Sequence, residues 1–315
     1  MGAVRIPIAD TLSVLLEHLF GIQTGTEVSV AFEQIVWQIR MPRIILGFLA
    51  GSGLALCGCI MQAVVQNPMA DPYILGVSAG ATLGATGSLF LGIGTISGVW
   101  AFIGAGIACF LVLALSSADG KTTSVKLILS GMIVNALLTA FSNFIIAVAG
   151  DSDGMMSIKF WTMGSLTRAS WHNIASVALI VLAAVLFFLT QSQTLDGLML
   201  GEEAAATIGI NTFRCRLTYL LVISMLTGTM VSVCGTIGFV GLIIPHVARV
   251  LAGTSHRKLL PIAVLMGGLF MLWVDAIARS MIPNAELPVG IFTAVIGAPF
   301  FVYVMVHKKY GFGGN

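Results

Sequence analysis

Apolar runs long enough to cross a bilayer follow one another along almost the whole chain, parted by short polar or Gly- and Pro-bearing turns. They lie near 44–66, 74–92, 97–117, 126–149, 173–191, 216–234, 261–281 and 288–306, with a shorter apolar helix near 240–252. A membrane helix needs about 20 such residues. The period-two alternation of a membrane β-barrel does not occur at this scale. The pattern predicts an all-α polytopic membrane protein. Residues 1–43 differ: their apolar patches, Leu12 to Phe20 and Val28 to Ile39, are too short to span and are broken by Asp10, Glu17, Glu27, Glu33 and Arg40. This stretch reads as a surface loop with one or two interfacial amphipathic helices, without the basic start and clean apolar core of a secretory signal.

Composition agrees. Of 315 residues 57% are hydrophobic and only 9% charged, against about 25% charged in soluble domains. Too little polar surface remains to coat a water-soluble body, which disfavours a soluble enzyme, a nucleic-acid binder and a disordered scaffold together. The five cysteines (Cys57, Cys59, Cys109, Cys215, Cys234) show no ligand spacing and read as small apolar fillers. Alternating the spans puts Lys121, Lys126, Arg214, Arg216, Arg249, Arg257, Lys258, Lys308 and Lys309 on one face, and Arg5, Arg40, Arg43, Lys159, Arg168 and Arg279 on the other. The richer face is expected to be cytoplasmic. Arginines on the outer face oppose that rule, so something besides topology calls for them.

Local signals are finer. Gly76, Gly80 and Gly84, and again Gly47 and Gly51, repeat every four residues, a spacing that lets helix backbones approach closely. Asn67-Pro68-Met69-Ala70-Asp71-Pro72 is an abrupt helix stop and restart. The segment from Gly235 to His246 is apolar and punctuated by glycine; irregular backbone at membrane depth survives only when buried in protein or lining a cavity, so this is a candidate interface or pathway wall. The connection 192–215 suits two short helices, with Glu202 and Glu203 at a helix N-terminus and Gly209 at a C-terminus. It reads equally as a docking element for a soluble partner and as a plain helical linker. Asp275 and Arg279 stand four apart and can pair on one helix.

Several chemistries find no support. Asp119-Gly120-Lys121-Thr122 resembles the end of a phosphate-binding loop, but Leu115 stands where that motif needs glycine. The five histidines show no metal-binding spacing and no hydrolase motif occurs. A catalytic residue, a metal and a cofactor are therefore not expected. An ion-coupled secondary carrier would show carboxylates clustered at mid-membrane, and the acidic residues other than Asp275 fall in loops.

Arg40-Met41-Pro42-Arg43, Gln62 to Gly80, Trp161 to Leu166, Leu200 to Asn211, Gly235 to Arg249, His256 to Pro261 and Glu286 to Phe300 closely resemble the FecCD-type permeases of ABC importers, in the family's order over nearly the whole chain. The resemblance implies a type II importer permease in the inner membrane of a prokaryote. Its partners would be a second copy of the chain, two cytoplasmic ATPase subunits and a substrate-binding protein outside, with no nucleic acid. It assigns binding-protein docking to Arg40, Arg43 and Arg279, a cytoplasmic gate to Asn67 and Met69, and ATPase coupling to Gly201, Glu202 and Glu203. The substrate it implies is an iron chelate, siderophore or haem, with cobalamin as the alternative. The expected organisation is an extracytoplasmic segment at 1–43, a transmembrane domain at 44–306 with coupling helices near 198–214, and a cytoplasmic tail at 307–315. The family pattern has ten membrane helices and nine are read here; an apolar segment of about 20 residues is expected upstream.

Overall fold

The computed structural model describes residues 4–22, 25, 28–93, 97–118, 123–149, 152–282 and 286–307. The Asp119–Thr122 turn, Lys308, Lys309 and the remainder of the expected tail lie outside the described residues. The helices are α1 (Ile8–Phe20), α2 (Val30–Gln34), α3 (Met41–Val65), α4 (Val77–Phe90), α5 (Ser97–Ser116), α6 (Ser124–Ala149), α7 (Ser152–Thr162), α8 (Trp171–Thr190), α9 (Ser192–Leu198), α10 (Glu202–Thr207), α11 (Thr212–Cys234), α12 (Val240–Ala252), α13 (His256–Ser280) and α14 (Val289–His307). A helix stands at every apolar run read from the sequence. Among the described residues, six helical stretches are long and apolar enough to cross a membrane. At 14 residues, α4 is shorter than the apolar core of a bilayer.

The two N-terminal patches are helical, but the second is not separate. From α2 the chain passes through a π-helical stretch, Ile35–Arg40, directly into α3. Pro42 follows that stretch; it has no N–H and its ring crowds the preceding turn, which the wider π turn accommodates. His18 bonds Glu33 at 3.0 Å and stacks on Trp37, and Trp37 in turn meets Trp171 at the start of α8. The Trp171 Nε1–H donates to the Trp37 carbonyl at 3.0 Å. These contacts hold α1 and α2 against the bundle.

Helix α3 is the hub: 20 of its 25 residues are buried. It packs on α8, α11, α12 and α13. Glycine allows this. A Cβ on Gly51 would strike the Gly267 carbonyl of α13, and one on Gly58 the Gly241 carbonyl of α12. The stripe on α4 does the same work, since Gly80 and Gly84 face the Gly104 and Trp100 carbonyls of α5. Gly76 has another role: its φ of 68° ends the 3-10 turn Pro72–Leu75 and turns the chain into α4. All five cysteines are free thiols and four are buried; Cys57 donates to the Ile223 carbonyl at 3.6 Å.

Substituting Gly51→Val is expected to cost at least about 1–3 kcal/mol by forcing α3 off α13, read as a lowered unfolding midpoint in detergent. Gly87→Ala, where a Cβ meets open space, is expected to leave that midpoint unchanged.

Candidate functional site

At one end of the bundle the start of α3 meets the end of α13. Arg43 donates from Nε to Asp275 Oδ1 at 2.9 Å and from Nη1 to Glu286 Oε2 at 2.7 Å, and its Nη2 lies 2.9 Å from Asp275 Oδ1. Arg279 reaches the other oxygen, Oδ2, of Asp275 at 2.9 Å. Arg40 donates to the Val4 carbonyl at 2.6 Å and is close enough to Arg279 for the two charges to repel. So the structure brings the three arginines and Asp275, all read from the sequence, to one end and adds Glu286. The Asp275–Arg279 pair was legible from spacing. The Arg43 partners were not, yet Arg43 has no acid three or four residues away on its own helix, so its charge had to be met from another element.

The two acids differ in setting. The Asp275 side chain is 3% exposed and that of Glu286 51%, with Arg43 between them at 7%. A buried ion pair is costly to form but far costlier to break singly; a half-exposed pair is worth about 0–1 kcal/mol. Glu286 also lines a cavity of about 580 Å³ together with Phe160, Trp161, Arg168, Cys234 and Pro288.

The Asn67 turn lies at the opposite end. Gln66 closes α3 in a left-handed conformation, φ 54°, and its Nε2 donates to the Leu198 carbonyl of α9 at 2.6 Å. Asn67 Oδ1 accepts from the Met69 N–H at 2.9 Å, and Asp71 Oδ1 from the Tyr73 N–H at 2.8 Å. Asn67 and Met69 are both half-buried. Helices α9 and α10 sit beside this turn. Gly201, φ 101°, precedes α10; Glu202 Oε2 lies 3.5 Å from Arg216 Nη1, and Glu203 is exposed. Asp196 of α9 binds the start of α13: its Oδ1 accepts from the His256 N–H at 2.8 Å and meets His256 Nδ1 at 2.6 Å, while Oδ2 accepts from Ser255 Oγ at 3.1 Å. That clamp was missed; its members stand 60 residues apart.

Between the two ends runs the irregular segment 235–239. Several of its polar groups are met by protein, as irregular backbone within a membrane requires. Tyr73 Oη donates to the Ile237 carbonyl at 3.2 Å and accepts from the Ile237 N–H at 3.1 Å, and Thr236 Oγ1 donates to the Thr162 carbonyl. Two cavities lie near this stretch, one reaching the end of α11 just before it and one reaching the segment itself. Cys234 borders the larger; Gly238 and Phe239 border a second of about 380 Å³, shared with Asp71, Tyr73, Met132 and Asn135.

Comparison with known proteins agrees with this architecture. The model of the FecCD transport family matches residues 1–307. The chain belongs to the FecCD transport family. Among relatives in this family, a cobalamin import system permease of Halobacterium salinarum is 41% identical over 303 residues, 96% of this chain and 79% of that one. A hemin transport system permease of Yersinia pestis is 34% identical over 90% of this chain and 87% of its own. A solved structure, an inward-facing conformation of a metal-chelate type ABC transporter, superposes with a TM-score of 0.82 at 31% identity, covering 95% of this chain and 98% of that one. This FecCD chain is therefore a multi-pass membrane protein, the permease subunit of a binding-protein-dependent ABC importer, and not itself catalytic.

Asp275→Asn is expected to destabilise the protein by about 3–5 kcal/mol, because Arg279 then loses its carboxylate partner and the buried Arg43 keeps only the half-exposed Glu286. Glu286→Gln is expected to cost no more than about 1 kcal/mol. Unfolding midpoints of the two variants in detergent check the contrast.

Proposed function

We propose that two copies of the chain enclose a path for a large metal chelate, opened alternately at either end. The observation that supports this reading is a pair of cavities near the partly buried 235–239 segment, one bordered by Cys234 just before it and the other by Gly238 and Phe239 within it. A wall of that kind closes the path, and a shift of the segment joins one cavity or the other to it. The arginine end faces outward and receives the binding protein through Arg40, Arg43 and Arg279; charge pairing there sets register and speeds encounter more than it adds affinity. The opposite end faces the cytoplasm, where Asn67 and Met69 gate the path and Gly201, Glu202 and Glu203 receive the ATPase. Met132 and Asn135 belong to the pathway wall through the smaller cavity. Phe141 is exposed on α6, and the side chain of Met155 lies outside the described residues.

Within the chelate class, the 41% identity to a cobalamin permease supports a corrinoid. The hemin relative supports a second reading, the iron chelate that the sequence motifs first suggested. Uptake into proteoliposomes holding the permease, its ATPase and its binding protein decides between cobalamin, haemin and a ferric siderophore. The expected result is ATP-dependent uptake of cobalamin; uptake that persists without ATPase and binding protein would instead mean a secondary carrier.

Lysines at both Glu202 and Glu203 are expected to abolish transport while leaving ATP hydrolysis measurable, because the acids at the start of α10 are lost and the Arg216 contact is reversed. Unchanged uptake by that variant would remove the coupling role.

A further inference from the structure

We infer that Glu286 is the internal occupant of the docking surface, and that an acidic side chain of the binding protein engages Arg43 by taking its place. The inference rests on the docking reading given above. Arg43 is almost wholly buried, and its guanidinium is divided between two carboxylates of unequal permanence. Asp275 is 3% exposed, and it also holds Arg279. Withdrawing it would leave Arg279 without its carboxylate and the buried Arg43 with Glu286 alone, so it stays. Glu286 is 51% exposed and makes a single 2.7 Å contact to Nη1; on leaving Arg43 it is solvated at little cost. It is therefore the exchangeable ligand of the pair.

Charge supports the exchange. Arg40, Arg43 and Arg279 face two carboxylates, Asp275 and Glu286, so this cluster of five carries one net positive charge and draws an incoming acid. The strongest site for that acid is the Arg43 Nη1 position, where a buried guanidinium is met in place of a solvated one. Glu286 already holds that position, and it lies between Arg43 and the 580 Å³ cavity that it also lines. Its presence gives Arg43 Nη1 a partner in the empty permease, beside the Asp275 contacts at Nε and Nη2, and lowers the affinity for the binding protein.

The test uses the purified permease–ATPase complex and the binding protein encoded with it, measuring docking affinity for wild type, Glu286→Gln, Glu286→Asp and Arg40→Glu. Displacement requires that both Glu286 variants dock more tightly, about two- to fivefold. The aspartate keeps the charge but is too short to hold Arg43. If the glutamine tightens docking and the aspartate matches wild type, only net charge matters and the inference falls. It falls equally if neither variant changes docking while Arg40→Glu weakens it. Should Arg40→Glu leave docking unchanged, the docking reading itself is wrong. Equal unfolding midpoints of wild type and both Glu286 variants show that the comparison is between folded proteins.

Discussion

The separation between α3 and its neighbours is the constraint on which the architecture depends. Where α3 crosses α13 and α12, backbone meets backbone with only hydrogen between, at Gly51 against Gly267 and at Gly58 against Gly241. Lipid tails are as apolar as leucine, so helices in a membrane gain little by hiding greasy side chains from it; close contact and internal hydrogen bonds do the work. Short interhelical distances also bring polar groups within reach. Gln62 Nε2 donates to the Gly241 carbonyl at 3.3 Å, and Arg249 donates to Gln62 Oε1 at 2.6 Å. Ser52 donates to the Val264 carbonyl at 2.9 Å. Moving α3 outward by one methyl group would loosen all three.

The same closeness makes the arginine end possible. Arg43 sits one turn inside the hub helix, where an unpaired cation would be untenable. Because α13 lies against α3, Asp275 reaches it. The arrangement spends a buried carboxylate on two cations, which an apolar substitute could replace without loss of stability. Its retention fits a surface that has to present positive charge rather than simply hold together.

Much of this was legible in the sequence, for identifiable reasons. The spans could be read because length and hydropathy alone define a membrane helix. The glycine stripes of α3 and α4 could be read because a four-residue period is one helix face. The extent of the first span could not: the polar interruptions at Glu33 and Arg40 suggest a break, and the helix runs through them because Glu33 meets His18 and Arg40 meets the Val4 carbonyl. Helix α7 escaped as well, since Ser152–Thr162 is neither long nor strongly apolar. At the site, residue types and the i,i+4 pair of Asp275 with Arg279 were visible but the long-range pairings were not. Asp275 with Arg43, and Asp196 with His256, join residues 232 and 60 positions apart, and only tertiary packing brings such partners together.

Those two missed pairings stand at opposite ends of one element. Asp196 grips the start of α13 through the His256 backbone and ring, and Asp275 near its end grips Arg43 and Arg279. Ser255, the residue before the helix, gives it no side-chain cap of its own, so the distant Asp196 supplies the acceptor that a first-turn N–H needs. A 25-residue helix spans the apolar thickness of a bilayer. Held by a carboxylate from α9 at one end and by a buried pair with α3 at the other, α13 can move with either neighbour but cannot move freely of both. Shifting α9 relative to α3 must therefore break the Asp196 clamp, break the Asp275 pair, or carry α3 along. The buried pair is the more expensive to break. The clamp, with Asp196 partly exposed, is thus the point at which the two ends of the bundle part company or act together.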